Sequence, residues 1–81
     1  MHRLRLAVVG LGEAGRAHAE RLRDHDDCVL AAVCDPVPGA IERVAGYGVP
    51  RFHRLAELLD ALRPDGVILA MPAASQVEAA L

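Results

Sequence analysis

Two apolar rhythms take turns along this chain. Leu4 to Val9 is a short, nearly unbroken apolar run, the pattern of a strand covered on both faces, as in a parallel sheet. Gly10-Leu11-Gly12-Glu13-Ala14-Gly15 interrupts it. From Glu13 to Asp24 the spacing turns helical, with Ala14, Ala17, His18, Arg21 and Leu22 on one face. Asp24-His25-Asp26-Asp27 ends that helix as a solvated loop, without the spacing or the bidentate Glu of a calcium loop. Cys28 to Cys34 is a second buried strand, closed by Asp35-Pro36. Val37, Ala40, Ile41 and Val44 share a helix face, and Gly46, Gly48 and Pro50 stop its continuation. Arg51-Phe52-His53 leaves room for a brief third strand. Leu55, Leu58, Leu59 and Leu62 form a further helical stripe, followed by a turn at Pro64-Asp65-Gly66. Val67 to Met71 is a fourth strand, and Ser75 with Glu78 is a capping-box pattern for a last short helix over 76–81.

Strand and helix thus alternate four times. That order predicts an α/β fold with a parallel sheet of four strands and helices on both faces. Right-handed crossovers favour the strand order 3-2-1-4 of a Rossmann-like fold. With 81 residues the chain holds one small domain, read as a dinucleotide-binding domain over residues 1–81 that is incomplete at its C-terminus, with no substrate domain.

The chemistry lies in Gly10-x-Gly12-x-x-Gly15, which follows a strand and opens a helix, as a dinucleotide fingerprint requires. Gly10 makes the tight turn, Gly12 lets backbone approach a pyrophosphate, and Gly15 lets the helix pack closely on the strand. The anion sits at the helix N-terminus, where N–H groups and the helix dipole favour it. Leu11, Glu13 and Ala14 complete that loop as cofactor contacts, and Arg16 offers a charge to phosphate. Asp35 stands twenty positions after Gly15, where a carboxylate accepts hydrogen bonds from the adenosine ribose. A 2′-phosphate would meet a like charge there, so Asp35 favours NAD over NADP. An Asp before a proline also serves turns, the competing role for this residue. Ala70-Met71-Pro72 ends the fourth strand where the strand order reverses, the crevice in which ligands bind, so Met71 and Pro72 join the contact set.

The remaining chemistry is sparse. All nine basic residues are Arg, so no lysine is available for acid–base or Schiff-base work. His2, His18, His25 and His53 have no metal-ligand spacing, and the lone Ser75 is better used as a cap than as a nucleophile. The reading therefore contains no catalytic residue and no metal site. Cys28 and Cys34 are six apart, which puts both on one strand face, too far apart to bridge, as buried small hydrophobes of a reducing cytosol. A net charge of −2 with scattered arginines argues against a nucleic-acid partner. No segment is long and apolar enough to span a membrane, and a cytoplasmic location is expected.

Val-Val-Gly-Leu-Gly-Glu-Ala-Gly-Arg-Ala-His-Ala (8–19), Ala-Val-Cys-Asp-Pro (32–36), Tyr-Gly-Val-Pro (47–50) and Pro-Asp-Gly-Val-Ile-Leu-Ala-Met-Pro (64–72) resemble the N-terminal domain of the glucose–fructose oxidoreductase/inositol dehydrogenase/MocA (Gfo/Idh/MocA) family. The resemblance implies a first domain that binds NAD or NADP and a second α/β domain that holds a sugar, polyol or related substrate. It implies phosphate binding at Gly10, Gly12, Gly15 and Arg16, ribose recognition at Asp35, and dinucleotide contacts near Met71 and Pro72. The Asn and His that family members often carry after this Pro are Ala73 and Gln76 here. The family's Glu-Lys-Pro segment, whose Lys is implicated in catalysis, has no counterpart in these residues, so the chain by itself is expected to bind cofactor without turning over substrate. An alternative from another class is a non-catalytic nucleotide-sensing or partner-binding module. It would use the open edge of the fourth strand to dock a second copy of the chain or a separately encoded substrate domain.

Overall fold

The structure, a computed structural model, describes residues 3–70. The expected contacts at Met71 and Pro72, and the last helix with its Ser75–Glu78 cap, lie outside the described residues. The element order is β1 (Leu4–Val9), α1 (Glu13–Arg23), β2 (Cys28–Cys34), α2 (Pro38–Glu42), a 3-10 turn (Ala45–Tyr47), β3 (Arg51–Phe52), α3 (Leu55–Leu62) and β4 (Gly66–Leu69). The sheet runs β3-β2-β1-β4 with every pairing parallel, which is the expected order.

Strand alternation divides the interior in two. On one face Leu6 and Val8 of β1 pack with Leu11, Ala19, Leu22, Ile41 and Val44, the contributions of α1, α2 and their flanks. On the other, Ala7 and Val9 pack with Ala32, Cys34 and Leu58 beneath α3. The buried face of α1 is Gly15, Ala19 and Leu22, not the one predicted from Ala14, Ala17, His18, Arg21 and Leu22. Ala14 and Arg21 are exposed, while Ala17 and His18 are half-buried. The reason is that the helix begins flat against the strand end at Gly15, and this contact fixes its rotation. Val37, expected on the apolar face of α2, is 57% exposed. It is the N-cap residue, and Pro38 starts the helix, as its fixed φ suits. The 3-10 turn is tied to α1 from outside: Arg23 lies 4.4 Å from the Tyr47 ring centroid, and the Tyr47 hydroxyl donates to Glu20 Oε1 at 3.3 Å.

The cysteines do not share a face. Leu6 pairs with Leu30 but Ala7 pairs with Ala32, so Ala31 is an extra residue in β2. Cys28 therefore packs against the first core and Cys34 lies in the second. Both are free thiols. Burial, with the negative charges of Asp35 and Glu57, pushes the Cys34 thiol from 9.0 up to about 11. The folded thiol thus keeps its proton where the unfolded one loses it, so stability is full below pH 9 and declines as pH climbs toward 11. The loss is about 2–3 kcal/mol in all. Urea titrations across this window are expected to show the decline, and Cys34→Ala to flatten it.

A cavity of about 230 Å³ opens beside Arg3, Leu22, Arg23 and Cys28. It lies at the N-terminal end of β2, the opposite end of the sheet from the glycine turn, whereas ligands of such sheets bind beyond the carboxyl ends of the strands.

Candidate cofactor site

β1 is followed by Gly10, whose φ of 96° is open to glycine and strained for other residues. Its N–H donates to the Cys34 carbonyl at 2.8 Å, tying the turn to the end of β2. Leu11 drives its side chain into the first core, fully buried, and its N–H donates to Asp35 Oδ2 at 2.7 Å. Gly12 is the N-cap of α1. Its carbonyl accepts from the Arg16 N–H at 3.0 Å, and no side chain caps the helix start. Glu13 and Ala14 are exposed in the first turn.

The other two glycines differ in what they face. A Cβ on Gly15 would overlap Gly10 O and lie 2.7 Å from Gly10 C, so the helix rests directly on the turn backbone. The same position is 3.5 Å from the Ala70 Cβ, and the Ala70 N–H donates to Val9 O at 2.8 Å. The end of β4 therefore flanks the glycine turn where the strand order reverses. A Cβ on Gly12 would meet nothing within 4 Å, and its φ of −72° and ψ of −166° suit any residue.

Asp35 is 8% exposed, the one buried charged side chain among the described residues. It takes up the turn-forming role weighed from the sequence. Oδ1 accepts from the Val37 N–H at 2.8 Å, an Asx-type turn, while Oδ2 holds the glycine turn. Its own N–H donates to Phe52 O at 3.0 Å, and His53 Nδ1 lies 3.3 Å from its carbonyl oxygen. Each carboxylate oxygen keeps a lone pair for a further donor such as a ribose hydroxyl. Arg16 is half-buried, and its Nε is buried with no hydrogen-bond partner. Its charge, like that of Arg23, favours ionisation of the Tyr47 phenol, but burial and Glu20 outweigh both and push that phenol up.

The turn thus brings together Gly10, Leu11, Gly12, Glu13, Ala14, Gly15 and Asp35. Sequence reasoning missed Val37 and Phe52, which fix Asp35 through main-chain groups. The Asp-Pro-Val order carried a signal for Val37, since an Asp commonly accepts from the N–H two residues on. Among the described residues no group of three His, Cys, Asp or Glu could hold a metal ion, and no helix is long and apolar enough to cross a membrane.

Residues 4–81 match the oxidoreductase family with an NAD-binding Rossmann fold, Gfo/Idh/MocA. The chain belongs to this family. Rhizopine catabolism protein MocA of Rhizobium meliloti is 31% identical over 78 residues, covering 96% of this chain and 25% of that protein. A probable dehydrogenase from Thermotoga maritima superposes with a TM-score of 0.83 at 31% identity, over 94% of this chain and 23% of that one. The WlbA dehydrogenase of Bordetella pertussis, solved with NADH and UDP-GlcNAcA, gives a TM-score of 0.81 at 27% identity, over 89% and 23%. The chain spans about a quarter of the length of these relatives. Its fold is that of the family's NAD-binding domain.

The residues present fit a dinucleotide. The helix start is uncapped, the space before Gly12 is open, and Asp35 has acceptor capacity to spare.

Proposed function

We propose that this chain is the cofactor-holding part of a nicotinamide-dependent oxidoreductase acting on a sugar, polyol or related substrate, with NAD preferred over NADP. The observation that carries this reading is Gly12. Neither its backbone angles nor its neighbours require a glycine, and the open space before it lies at the uncapped start of α1, within the glycine turn. In this reading the N–H groups at the start of α1 receive the pyrophosphate, with Gly12 allowing close approach and Arg16 adding positive charge. Asp35 accepts from the ribose hydroxyls and repels a 2′-phosphate. The nicotinamide, when bound, supplies the hydride chemistry. Met71 and Pro72 complete the proposed contact set. The sugar or polyol class follows the relatives, among them the dehydrogenase solved with UDP-GlcNAcA.

The test is a titration of the chain with NADH and, separately, NADPH, followed by cofactor fluorescence, which the absence of Trp leaves clear. Saturable NADH binding, tighter than NADPH binding, is expected. A folded chain that bound neither would overturn the reading, and tighter NADPH binding would overturn the preference.

Gly12→Ala separates binding from folding. Stability is expected to change by less than about 1 kcal/mol, because alanine fits this backbone and restricts the unfolded chain but is a poorer N-cap than glycine. NADH affinity is expected to fall about tenfold or more, a loss of at least about 1.4 kcal/mol. Urea unfolding and the same fluorescence titration check the two halves.

A further inference from the structure

We propose that Asp35 is a positioning residue for the phosphate-binding turn, beyond any contact it makes with ribose; the part played by phosphate here rests on the cofactor reading above. Two successive amides anchor the turn to the end of β2. The Gly10 N–H donates to Cys34 O at 2.8 Å and the Leu11 N–H to Asp35 Oδ2 at 2.7 Å. The second bond has a carboxylate acceptor and is short, which places it among the stronger hydrogen bonds. It also lies where water cannot replace it, since Leu11 is fully buried and Asp35 nearly so. The carboxylate is itself held from the other side by the Val37 N–H at 2.8 Å, so it is a fixed post and not a swinging arm. Gly12 and the open N–H groups of α1 follow Leu11 directly. Losing the post leaves a buried N–H unpaired, and the turn relieves that only by moving the residues that would face phosphate.

One consequence concerns cofactor preference. Replacing Asp35 to admit a 2′-phosphate also loosens the turn, so the exchange weakens NADH binding without a matching gain for NADPH.

The experiment compares the unaltered chain with Asp35→Ala, using ADP and 2′,3′-dideoxy-ADP as probes. The second probe has the diphosphate but no ribose hydroxyls. Asp35→Ala is expected to weaken dideoxy-ADP about tenfold, the scale of one charge-assisted hydrogen bond. Equal binding of dideoxy-ADP by the two chains would overturn the proposal and leave Asp35 a ribose acceptor only. Where the alanine variant fails to fold, Asp35→Asn takes its place. Its amide can present an oxygen to Leu11 only by turning its NH₂ toward the Val37 N–H, so both bonds cannot survive. Amide hydrogen exchange read at Leu11 and Val8 separates the two failures. If the unaltered chain binds no nucleotide, the cofactor reading falls. The positioning role then stands if exchange at Leu11 speeds up about tenfold or more in the variant while Val8 keeps its protection, and falls if Leu11 is unchanged.

Discussion

Gly15→Ala is expected to be severely destabilising. Two effects oppose each other at this position. Alanine is the better helix former by about 1 kcal/mol, and Gly15 is inside α1. Against that, the added Cβ would overlap Gly10 O and sit 2.7 Å from Gly10 C. Both are backbone atoms, so no rotamer change relieves the contact. Gly10 cannot retreat, because its N–H is bonded to Cys34 O and its φ of 96° already uses the freedom of glycine. The helix must therefore lift off β1, exposing Ala19 and Leu22. We expect a loss of about 4 kcal/mol or more, a large part of the roughly 5–15 kcal/mol that holds a typical domain together. Far-UV circular dichroism during urea unfolding measures it. A variant as stable as the original would mean that α1 does not rest on the glycine turn.

Leu58→Ala is expected to cost about 3–5 kcal/mol, the upper part of the range for buried leucines. Leu58 is fully buried in the core beneath α3, where its buried neighbours are Ala7, Val9, Ala32 and Cys34. These are small side chains on sheet backbone with little capacity to move into the space left behind, and only the partly buried Phe52, Leu55, Leu62, Val67 and Leu69 around them can relax toward it. Leu59, next in sequence, is 41% exposed, and Leu59→Ala is expected to cost less than about 1 kcal/mol. The difference in thermal midpoint between the two variants is the measurement. Similar midpoints would mean that α3 is not seated by Leu58.

Both positions also show what the sequence makes legible. The stripe of Leu55, Leu58, Leu59 and Leu62 reveals that α3 exists and has an apolar face. It does not reveal which leucine is central, because that depends on where the sheet lies. The glycine turn and the strand order were readable because each rests on a local rule: tight turns need positive φ, and right-handed crossovers restrict topology. The rotation of α1 was not readable, because its deepest contact is made by Gly15, which has no apolar side chain to show up in a periodicity. Nor was the extra residue in β2, because Cys-Val-Leu-Ala-Ala-Val-Cys is apolar throughout and a shift in alternation leaves no polar residue out of place. At Asp35 the sequence indicated two roles, ribose acceptor and turn former. The second is visible in its bonds to Val37 and Leu11, and the first awaits a ligand.

The unpaired Ala31 also bears on how related chains are aligned. It has no partner in β1, yet Ala32, Val33 and Cys34 on its far side return to register with Ala7, Val8 and Val9. Removing it would close the ladder with no other residue changing sides, so Asp35 would still face the glycine turn. This is a place in β2 where the chain can differ in length by one residue while keeping its acid in position. A search pattern that demands a fixed count between the glycines and the acid would discard domains built on the same plan. One that permits a single gap here would keep them.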